Sequence, residues 1–457
     1  MEAARPARHT AVRSANLPST RGPDIRLTPL LRDSEALDLW RTRVADPDAL
    51  TVLDLFCGAG GMSAGFEAEG FTVSAGMDAD VRAVETFSAN HLSKGICHDL
   101  SRIASPGEAR ALFESHDIPR PHVIVGGPPC QGFSIVGRAR IRSLPRDEQR
   151  LLLARNELYN NFFLFVEALQ PLLFVIENVP AIQSWQGGLY FDDILNKTRA
   201  LGYEPFEDIL DASEYGVPQY RQRQFIIGSR IGMFRFPSPR RTAPTTLDEA
   251  IGDLPAVRAP SLLETLPYAP RRTGPYQQLM RSRVAPEDAG LIRDHVVRPI
   301  RDDDRRAFVK LPPGGRYIDL DPEDQRYSVD SFKDKYYKLK PDAPGVTVTA
   351  HMAKDGYRYI HWDNDQCRTL SVREAARIQS FDDAYRFAGH RSSRYRQIGN
   401  AVPPLLAREL AVRVRRAILG GMDVVDDRFW QLHLPLPVPD HVSFPPLPAV
   451  NQQTCAR

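Results

Sequence analysis

The stretch "TVLDLFCGAGGMSAGFEAEG", Thr51–Gly70, begins the regular part of the chain. A short apolar run leads into Gly58, Gly60 and Gly61 and then into a helix-length segment, which predicts a strand, a tight turn and a helix. Bare backbone in such a turn lets a nucleotide-like ligand approach closely. The spacing is G-x-G-G and not G-x-G-x-x-G, so we predict a site for a cofactor without phosphates. A turn that binds nothing is the alternative.

Four further apolar, β-branched runs follow, namely "TVSAGMD", "HVIVGG", "LLFVIENV" and "QFIIGSR". Helix-length segments separate the first four strands of the series, and this alternation predicts an α/β fold with a doubly wound, Rossmann-like parallel sheet. "YEPFEDILD" reads as one more strand directly before "QFIIGSR". Two adjacent strands without a helix between them predict an antiparallel hairpin at the sheet edge.

Changes in composition divide the chain into five parts. Predicted strands and helices alternate regularly in one part only. A second, smaller part is rich in Pro and Arg and has weak strand signals. We predict a flexible N-terminal extension at 1–50, a catalytic and cofactor-binding domain at 51–231, a smaller irregular domain at 232–390, a returning C-terminal helix at 391–420 and a Pro-rich tail at 421–457.

Composition excludes several classes of protein. No apolar run approaches the roughly 20 residues of a membrane span, and the N-terminus has no apolar signal core, so we expect a cytoplasmic protein. The five cysteines form no C-x-x-C pair, so we expect neither a disulfide framework nor a metal site. Only eight of the 59 basic residues are lysine, and arginine suits contacts with phosphates and base edges. Codon bias would produce the same excess.

The segment "VIVGGPPCQGFS", Val123–Ser134, places Cys130 just past the end of a strand. Ligands bind at this edge of open α/β sheets. Two prolines stiffen the turn before the thiol, and two glycines before them remove side chains that would crowd a ligand. We therefore predict a positioned nucleophile, the alternative being a cysteine that only packs.

Three acids and two arginines complete the candidate site. Glu177 ends the strand "LLFVIENV", where it can hydrogen bond or protonate a substrate ring, unless it only caps a helix. Asp78 lies 18 residues past Gly60, where a carboxylate commonly binds ribose hydroxyls, and Asp99 follows a further weak strand. Arg221 and Arg223 occupy alternate positions entering a strand, so we expect both on one face, holding an anionic or carbonyl-rich substrate.

With these motifs in place, the chain resembles the bacterial cytosine-5 DNA methyltransferases. "DLFCGAGG", "GGPPCQGFS", "ENV", "YGVPQYRQRQFIIG", "RTLSVREAARIQSF" and "RYRQIGNAVPPLLA" occur in that family's order and cover most of 51–230 and 366–420. The resemblance implies that S-adenosylmethionine lies across the glycine loop. The cofactor residues that it implies are Phe56, Gly58, Gly60, Gly61, Asp78, Asp99, Pro128, Asn400 and Val402.

The same resemblance implies the chemistry. Cys130 would attack carbon 6 of a cytosine flipped out of duplex DNA, and carbon 5 would take the methyl group. Glu177 would engage ring nitrogen 3 and Arg223 the carbonyl oxygen at position 2, with Arg221 beside them. The middle region would recognise the target sequence. The protein would act as a monomer on double-stranded DNA in the nucleoid, without a metal, and a separate restriction endonuclease is a possible partner.

Basic segments supply the expected DNA contacts. The segment from Arg138 to Arg155 contains six arginines and only two acids, so it could close over the phosphate backbone. "KDKYYKLK" interleaves lysines with tyrosines, although an exposed edge strand is as good an interpretation. The DNA contacts we expect are Gln131, Ser134, Arg138, Arg140, Lys335 and Lys338.

The chain departs from the family pattern in two places, and other functions stay open. Asp382 stands where the family usually has proline, and Tyr220 and Gln222 replace commoner charged residues. One alternative keeps the chemistry and takes transfer RNA as substrate, and another is a DNA-binding homologue without activity. A nicotinamide-dependent dehydrogenase would explain the glycine loop but not "PPCQ".

Overall fold

A seven-stranded sheet forms the centre of the molecule. The computed structural model describes residues 34–129, 158–240, 242–270, 273–326, 328 and 336–420. The strands are β1 (Thr51–Leu55), β2 (Thr72–Asp78), β3 (Lys94–Cys97), β4 (Val123–Gly126), β5 (Leu173–Asn178), β6 (Glu204–Asp211) and β7 (Gln222–Ser229). Their order is β3-β2-β1-β4-β5-β7-β6, with β7 antiparallel to both neighbours and the remaining pairs parallel.

This sheet confirms the predicted α/β class. The predicted hairpin of β6 and β7 is also present. Of its two strands only β6 lies at the edge of the sheet, because β7 inserts between β5 and β6. In the register of the sheet, Leu55 pairs with Gly126, Gly126 with Ile176, and Glu177 with Phe225. The carboxyl ends of β1, β4 and β5 therefore meet the amino end of β7 at one edge.

Twelve α-helices surround the sheet and build the second domain in the described part of the chain. They are α1 (Ser34–Ala45), α2 (Gly61–Glu67), α3 (Val81–Asn90), α4 (Pro106–Glu114), α5 (Leu158–Leu169), α6 (Leu189–Ala200), α7 (Leu247–Ile251), α8 (Pro275–Arg281), α9 (Asp302–Lys310), α10 (Val372–Ile378), α11 (Arg391–Asn400) and α12 (Pro404–Ile418).

Both faces of the sheet are covered by helices. Alternate residues of each strand point to opposite faces, so a central strand that is apolar throughout builds two cores. On one face, Leu53 and Ile124 pack with residues of α4, α5 and α6. On the other face, Val52 and Val123 pack with residues of α2 and α12. The uninterrupted apolar strands of the sequence follow from this burial on two sides.

The end of the chain returns to its beginning. The predicted single helix at 391–420 is two helices, α11 and α12, separated by the extended segment Ala401–Pro403. Helix α12 packs so closely on α2 that a Cβ atom at Gly65 would lie 2.5 Å from the Cβ of Ala407. The first and last described helices of this face therefore depend on a contact across most of the chain.

The second domain has a core of its own but no clean boundary. Phe308, Tyr317, Tyr336 and Ile360 belong to one cluster, and a short hairpin of β8 (Thr265–Pro267) and β9 (Leu291–Arg293) lies in the same part of the chain. A further cluster joins α7 and α10 to Ala59 in the turn after β1. Residues of the predicted domain 232–390 thus pack directly against the turn after β1.

The N-terminal region differs from its prediction as a flexible extension to residue 50. Residues 34–45 form α1, whose Trp40 is buried. The Trp40 indole donates a hydrogen bond to the carbonyl of Ser74 at 3.2 Å, and the Lys94 ammonium lies over its ring. A buried aromatic side chain with a satisfied N–H and a cation over its ring stabilises the position of this helix. Among the described residues, no helix has both the length and the apolar character needed to cross a bilayer.

Candidate active site

Glu177 and Arg223 meet at the carboxyl edge of the sheet. Arg223 Nε lies 2.8 Å from Glu177 Oε1, and the two side chains are 13% and 12% exposed. Glu177 is the last residue but one of β5, and Arg223 is the second residue of β7, so the antiparallel pairing of these strands brings the two residues together. The two side chains are thus paired with each other at the edge where ligands bind in open α/β sheets.

The segment that leads to Cys130 lies against this pair. A Cβ atom at Gly127 would be 3.1 Å from Glu177 Oε2, and Asn178 Nδ2 donates to the Pro128 carbonyl at 3.4 Å. Cys130 itself lies outside the described residues, only three positions after Gly127. The last described residues before the predicted nucleophile, Gly127 and Pro128, therefore lie beside Glu177 and Asn178.

Gly126 has a different role from the one we expected. A Cβ atom at this position would lie 2.4 Å from the Leu55 carbonyl oxygen and 3.0 Å from the Phe162 ring. The missing side chain makes room for β1 and α5, not for a ligand. Only Gly127, which faces Glu177, fits the prediction of a glycine that keeps the site open.

The turn after β1 has an unusual backbone. Phe56, Gly58 and Gly60 have φ angles of 58°, 55° and 86°, in the left-handed region that favours glycine. A Cβ atom at Gly60 would lie 2.3 Å from His91 Nε2, and one at Gly61 would lie 2.2 Å from the Val402 carbonyl oxygen. Glycine is therefore required here both by conformation and by the closeness of neighbouring groups.

Asp78 holds the same turn from the next strand. Its carboxylate accepts the Gly58 N–H at 2.9 Å through one oxygen and the Asp80 N–H at 2.8 Å through the other. Burial raises the pKa of Asp78, and these N–H donors oppose that rise. Asp99 is exposed, two residues beyond the Cys97 that pairs with Asp78, and it accepts hydrogen bonds from Ser101. Both predicted cofactor acids thus lie at the carboxyl edge.

Sequence reasoning missed a buried acid beneath the turn. Asp54, in the middle of β1, accepts a hydrogen bond from Ser63 Oγ at 2.6 Å and is 1% exposed. Burial raises the pKa of Asp54 to about 7. An acid inside a buried parallel strand is the signal that could have revealed it, because such a residue needs a specific partner.

One of the two predicted residues near the end of the described chain lies against the turn after β1. Val402 is buried with its carbonyl against Gly61, and Asn400 is exposed at the end of α11. Gln379 Nε2 donates to the carbonyl of Ala401, and Gln219 Nε2 donates to Gln379 Oε1 at 2.5 Å. The two glutamines, which sequence reasoning missed, tie this segment to the chain just before β7.

Arg221 does not join Arg223 on one face, and this part of the prediction is corrected. Its guanidinium is 1% exposed and donates to the carbonyls of Val348, Gly399 and Ala401 at 2.7, 3.1 and 2.9 Å. The alternation rule fails because β7 begins only at Gln222, so Arg221 precedes the strand. Arg221 is thus a structural link between distant segments of the chain.

One known protein family matches this chain over most of its length. The family profile described as C-5 cytosine-specific DNA methylase matches residues 50–416. The chain belongs to this family. The prediction of a DNA cytosine-5 methyltransferase is thereby confirmed at the level of the enzyme class.

Individual relatives agree with the family. The type II methyltransferase M.AgeI of Thalassovita gelatinovora is 33% identical over 443 residues, which cover 81% of this chain and all of the relative. M.DdeI of Desulfomicrobium norvegicum is 33% identical over 391 residues, covering 80% and 88% of the two chains. A crystal structure from an E. coli prophage, described as a DNA modification methyltransferase, has 26% identity and a TM-score of 0.64 over 81% of this chain and all of its own.

Most of the DNA contacts predicted for this methylase lie outside the described residues. They are Gln131, Ser134, Arg138, Arg140 and Lys335. Lys338 is described, and its prediction is corrected: the side chain is 1% exposed, and the ammonium donates to the Phe308 carbonyl at 2.9 Å and to Asn364 Oδ1. A lysine enclosed in the second domain cannot reach a phosphate.

The methylase accommodates its unusual Asp382 without disturbing the nearby helix. The Phe381 N–H donates to the Ala376 carbonyl, and the Asp382 carboxylate accepts the Tyr385 N–H at 3.0 Å. The Asp382 carbonyl accepts a hydrogen bond from Arg373 at 2.7 Å. A side-chain acceptor thus stabilises the turn where the family usually has proline.

Proposed function

We propose that the protein transfers a methyl group from S-adenosylmethionine to carbon 5 of a cytosine within a specific sequence of duplex DNA. The observation that carries this proposal is the Glu177–Arg223 pair at the carboxyl edge, against the segment that leads to Cys130. The family model supports the enzyme class. The cofactor, the flipped base and the covalent step are the parts that need direct tests.

The residues around the first turn fit a cofactor without phosphates. The glycines leave backbone accessible, and the carboxylate of Asp78 ends the neighbouring strand, where an acid can bind ribose hydroxyls. Phe56 begins the turn, and the Val402 carbonyl lies against its Gly61. We propose that Pro128 and Asn400 contact the cofactor as well. When bound, S-adenosylmethionine supplies an electrophilic methyl group on a sulfonium. The protein supplies the pocket and the orientation.

The chain's own residues account for the activation of the cytosine. The Cys130 thiolate adds to carbon 6, and the electron pair displaced to carbon 5 takes the methyl group. Transfer of the proton on carbon 5 to water then restores the double bond between carbons 5 and 6 and expels the thiolate. Glu177 hydrogen bonds ring nitrogen 3 as charge develops there, and Arg223 binds the oxygen at position 2.

DNA must open for this chemistry, because a paired cytosine is enclosed in the stack. The segment 138–155 carries six arginines against two acids and directly follows the predicted nucleophile, so we propose that it binds phosphates around the flipped base. The second domain, with its own core, is proposed to recognise the target sequence. We propose that the protein acts on DNA as a monomer.

The names of the relatives suggest a setting. M.AgeI and M.DdeI are called type II methyltransferases. We propose that this protein likewise protects DNA from a separate restriction endonuclease that recognises the same sequence. Methylome sequencing of a host that expresses the chain would identify the sequence, and its DNA should resist a matching endonuclease.

A trapping experiment tests the mechanism. The enzyme is incubated with S-adenosylmethionine and duplex DNA whose target cytosine carries fluorine at carbon 5, which blocks the final loss of a proton. We expect an irreversible adduct at Cys130 and none with Cys130→Ser, which should also lose methyl transfer while its cofactor affinity stays within about a few fold. Normal turnover by Cys130→Ser would overturn the nucleophile.

A second assay, of methyl transfer, distinguishes DNA from RNA as the substrate. Labelled methyl transfer to duplex DNA and to transfer RNA is measured side by side. We expect transfer to DNA alone, at one sequence. If only transfer RNA were methylated, RNA would replace DNA as the proposed substrate, and the proposed chemistry would stay the same.

A further inference from the structure

A buried chain of hydrogen bonds supports the turn after β1 from below. The carboxylate of Glu67 lies 2.7 Å from His91 Nδ1, and His91 Nε2 lies 2.9 Å from the Tyr385 hydroxyl. Tyr385 Oη in turn donates to the carbonyl of Ala59, between the glycines of the turn. His91 and Tyr385 are 1% and 3% exposed, so water cannot replace these contacts readily.

The turn rests directly on these two side chains. A Cβ atom at Gly60 would lie 2.3 Å from His91 Nε2 and 2.9 Å from Tyr385 Oη. Tyr385 is 326 residues away from Ala59 in sequence, so the second half of the chain determines the position of the turn. A displacement of either ring would let the left-handed backbone of Gly60 relax.

The donors and acceptors in this chain fix the protonation of His91. A carbonyl oxygen can only accept, so Tyr385 must donate its one hydrogen to Ala59 and accept a hydrogen bond from His91 Nε2. An ionised Glu67 can also only accept, so Nδ1 must donate as well. With Glu67 ionised, every contact of this chain is a hydrogen bond only when both ring nitrogens carry hydrogen, that is, when His91 is an imidazolium ion paired with Glu67.

The surrounding groups agree with a cation at this position. Asp54 of β1 interacts electrostatically with His91, and Asp78 interacts with Asp54. The Phe87 ring lies 4.6 Å from the imidazole, centre to centre. Around the outer end, Arg283 interacts with Glu67 and Tyr385, Asp382 with Arg283 and Tyr385, and Cys57 with Tyr385. Glu67, in direct contact with His91, thus supplies the opposite charge.

We infer that Glu67, His91 and Tyr385 are positioning residues that hold Ala59 and Gly60 in the conformation that binds the cofactor, and that they do so only while His91 is protonated. The inference rests on the proposed cofactor. Loss of the His91 proton turns one of its two hydrogen bonds into a contact between two acceptors. Affinity for S-adenosylmethionine is then weaker at high pH than at low pH.

Three variants test the inference. Tyr385→Phe removes the hydrogen bond to Ala59 and should raise the dissociation constant of S-adenosylmethionine about tenfold, measured by calorimetry without DNA. The kcat at saturating cofactor should stay within about a few fold. Tyr395→Phe is the matched control, because its equally buried hydroxyl donates to the Leu370 carbonyl at 2.7 Å, away from the turn, and its dissociation constant should be that of the wild type.

Glu67→Gln tests the proton. A glutamine N–H can donate to a neutral Nδ1, so the chain of hydrogen bonds persists when His91 carries hydrogen only on Nε2. Between about pH 6 and about pH 9, the dissociation constant should rise for the wild type and stay nearly level for Glu67→Gln. Parallel pH profiles for the two proteins would overturn the protonation step.

Hydrogen exchange of the turn is a readout that needs no cofactor. The amide hydrogens of Ala59–Gly61 should exchange faster in Tyr385→Phe than in the wild type or in Tyr395→Phe. Unchanged exchange and unchanged affinity in Tyr385→Phe would overturn the positioning role. A wild-type protein that binds no S-adenosylmethionine, yet shows this difference in exchange, would instead refute the proposed function.

Discussion

The two halves of the candidate site are held in different ways. The turn Phe56–Gly61 is fixed by groups from three distant parts of the chain: Asp78 accepts from Gly58, Tyr385 donates to Ala59, and the Val402 carbonyl lies against Gly61. Glu177 and Arg223 are held chiefly by each other, through an ion pair at 2.8 Å.

The difference matches the work that each half would do. A turn that only binds gains from being rigid before its ligand arrives, because the entropy of ordering has already been lost. Groups that respond to charge developing on a substrate must be able to exchange one hydrogen-bond partner for another. We therefore expect changes in the turn to affect affinity and stability, and changes in the pair to affect rate.

The largest effect is expected from Glu177→Gln. Glutamine keeps the shape but cannot carry the charge or the proton, so kcat should fall about 10²- to 10³-fold, while melting temperature and cofactor affinity change little. Single-turnover methyl transfer measures the loss. The matched control is Glu207→Gln, a change at an exposed position on β6, which is separated from β5 by β7. This variant should leave kcat unaltered. A loss of affinity without a loss of rate in Glu177→Gln would contradict the assignment.

Arg221→Met and Arg223→Met should have opposite consequences. Arg221→Met leaves three buried carbonyls without their donor and should lower the free energy of unfolding by about 3 kcal/mol, measured with urea. Arg223→Met should cost less than about 1 kcal/mol and slow methyl transfer about 10²-fold. The reverse pattern would show that the structural and chemical roles of the two arginines are exchanged.

Asp54 should make stability depend on pH. Its folded pKa, about 7, lies above the ordinary value of 3.8, so its contribution is complete below about pH 4 and is lost as pH rises towards 7. From about pH 5 to about pH 8, the free energy of unfolding should fall roughly 2–3 kcal/mol more for the wild type than for Asp54→Asn, which keeps an acceptor for Ser63. Superimposable curves for the two proteins would disprove the shifted pKa.

The smallest effect on DNA binding is expected from Lys338→Met. The buried ammonium bonds to its own domain, so the salt dependence of DNA affinity should stay that of the wild type, even if stability falls by about 1 kcal/mol. Arg140→Ala, in the basic segment, should reduce the slope of log affinity against log salt by about 1. Equal slopes for the wild type and Arg140→Ala would remove that arginine from the DNA contacts.

Local patterns predicted much of this molecule. The central strands are short, mainly apolar runs in the sequence. The turn after β1 is indicated by glycines at positions where the backbone conformation requires them. Predictions failed where a rule was extended beyond the element that justifies it. Alternation was applied to Arg221, one residue before its strand begins, and exposure was assumed for Lys338 because it carries a charge.

The sequence by itself determined the α/β class, the glycine turn and the family, because these depend on residues close together in the chain. Only the tertiary structure decided that α12 covers α2, that Arg221 links distant segments and that His91 and Tyr385 lie beneath Gly60. Such contacts join residues far apart in sequence, and which buried polar groups meet depends on how the helices and strands pack.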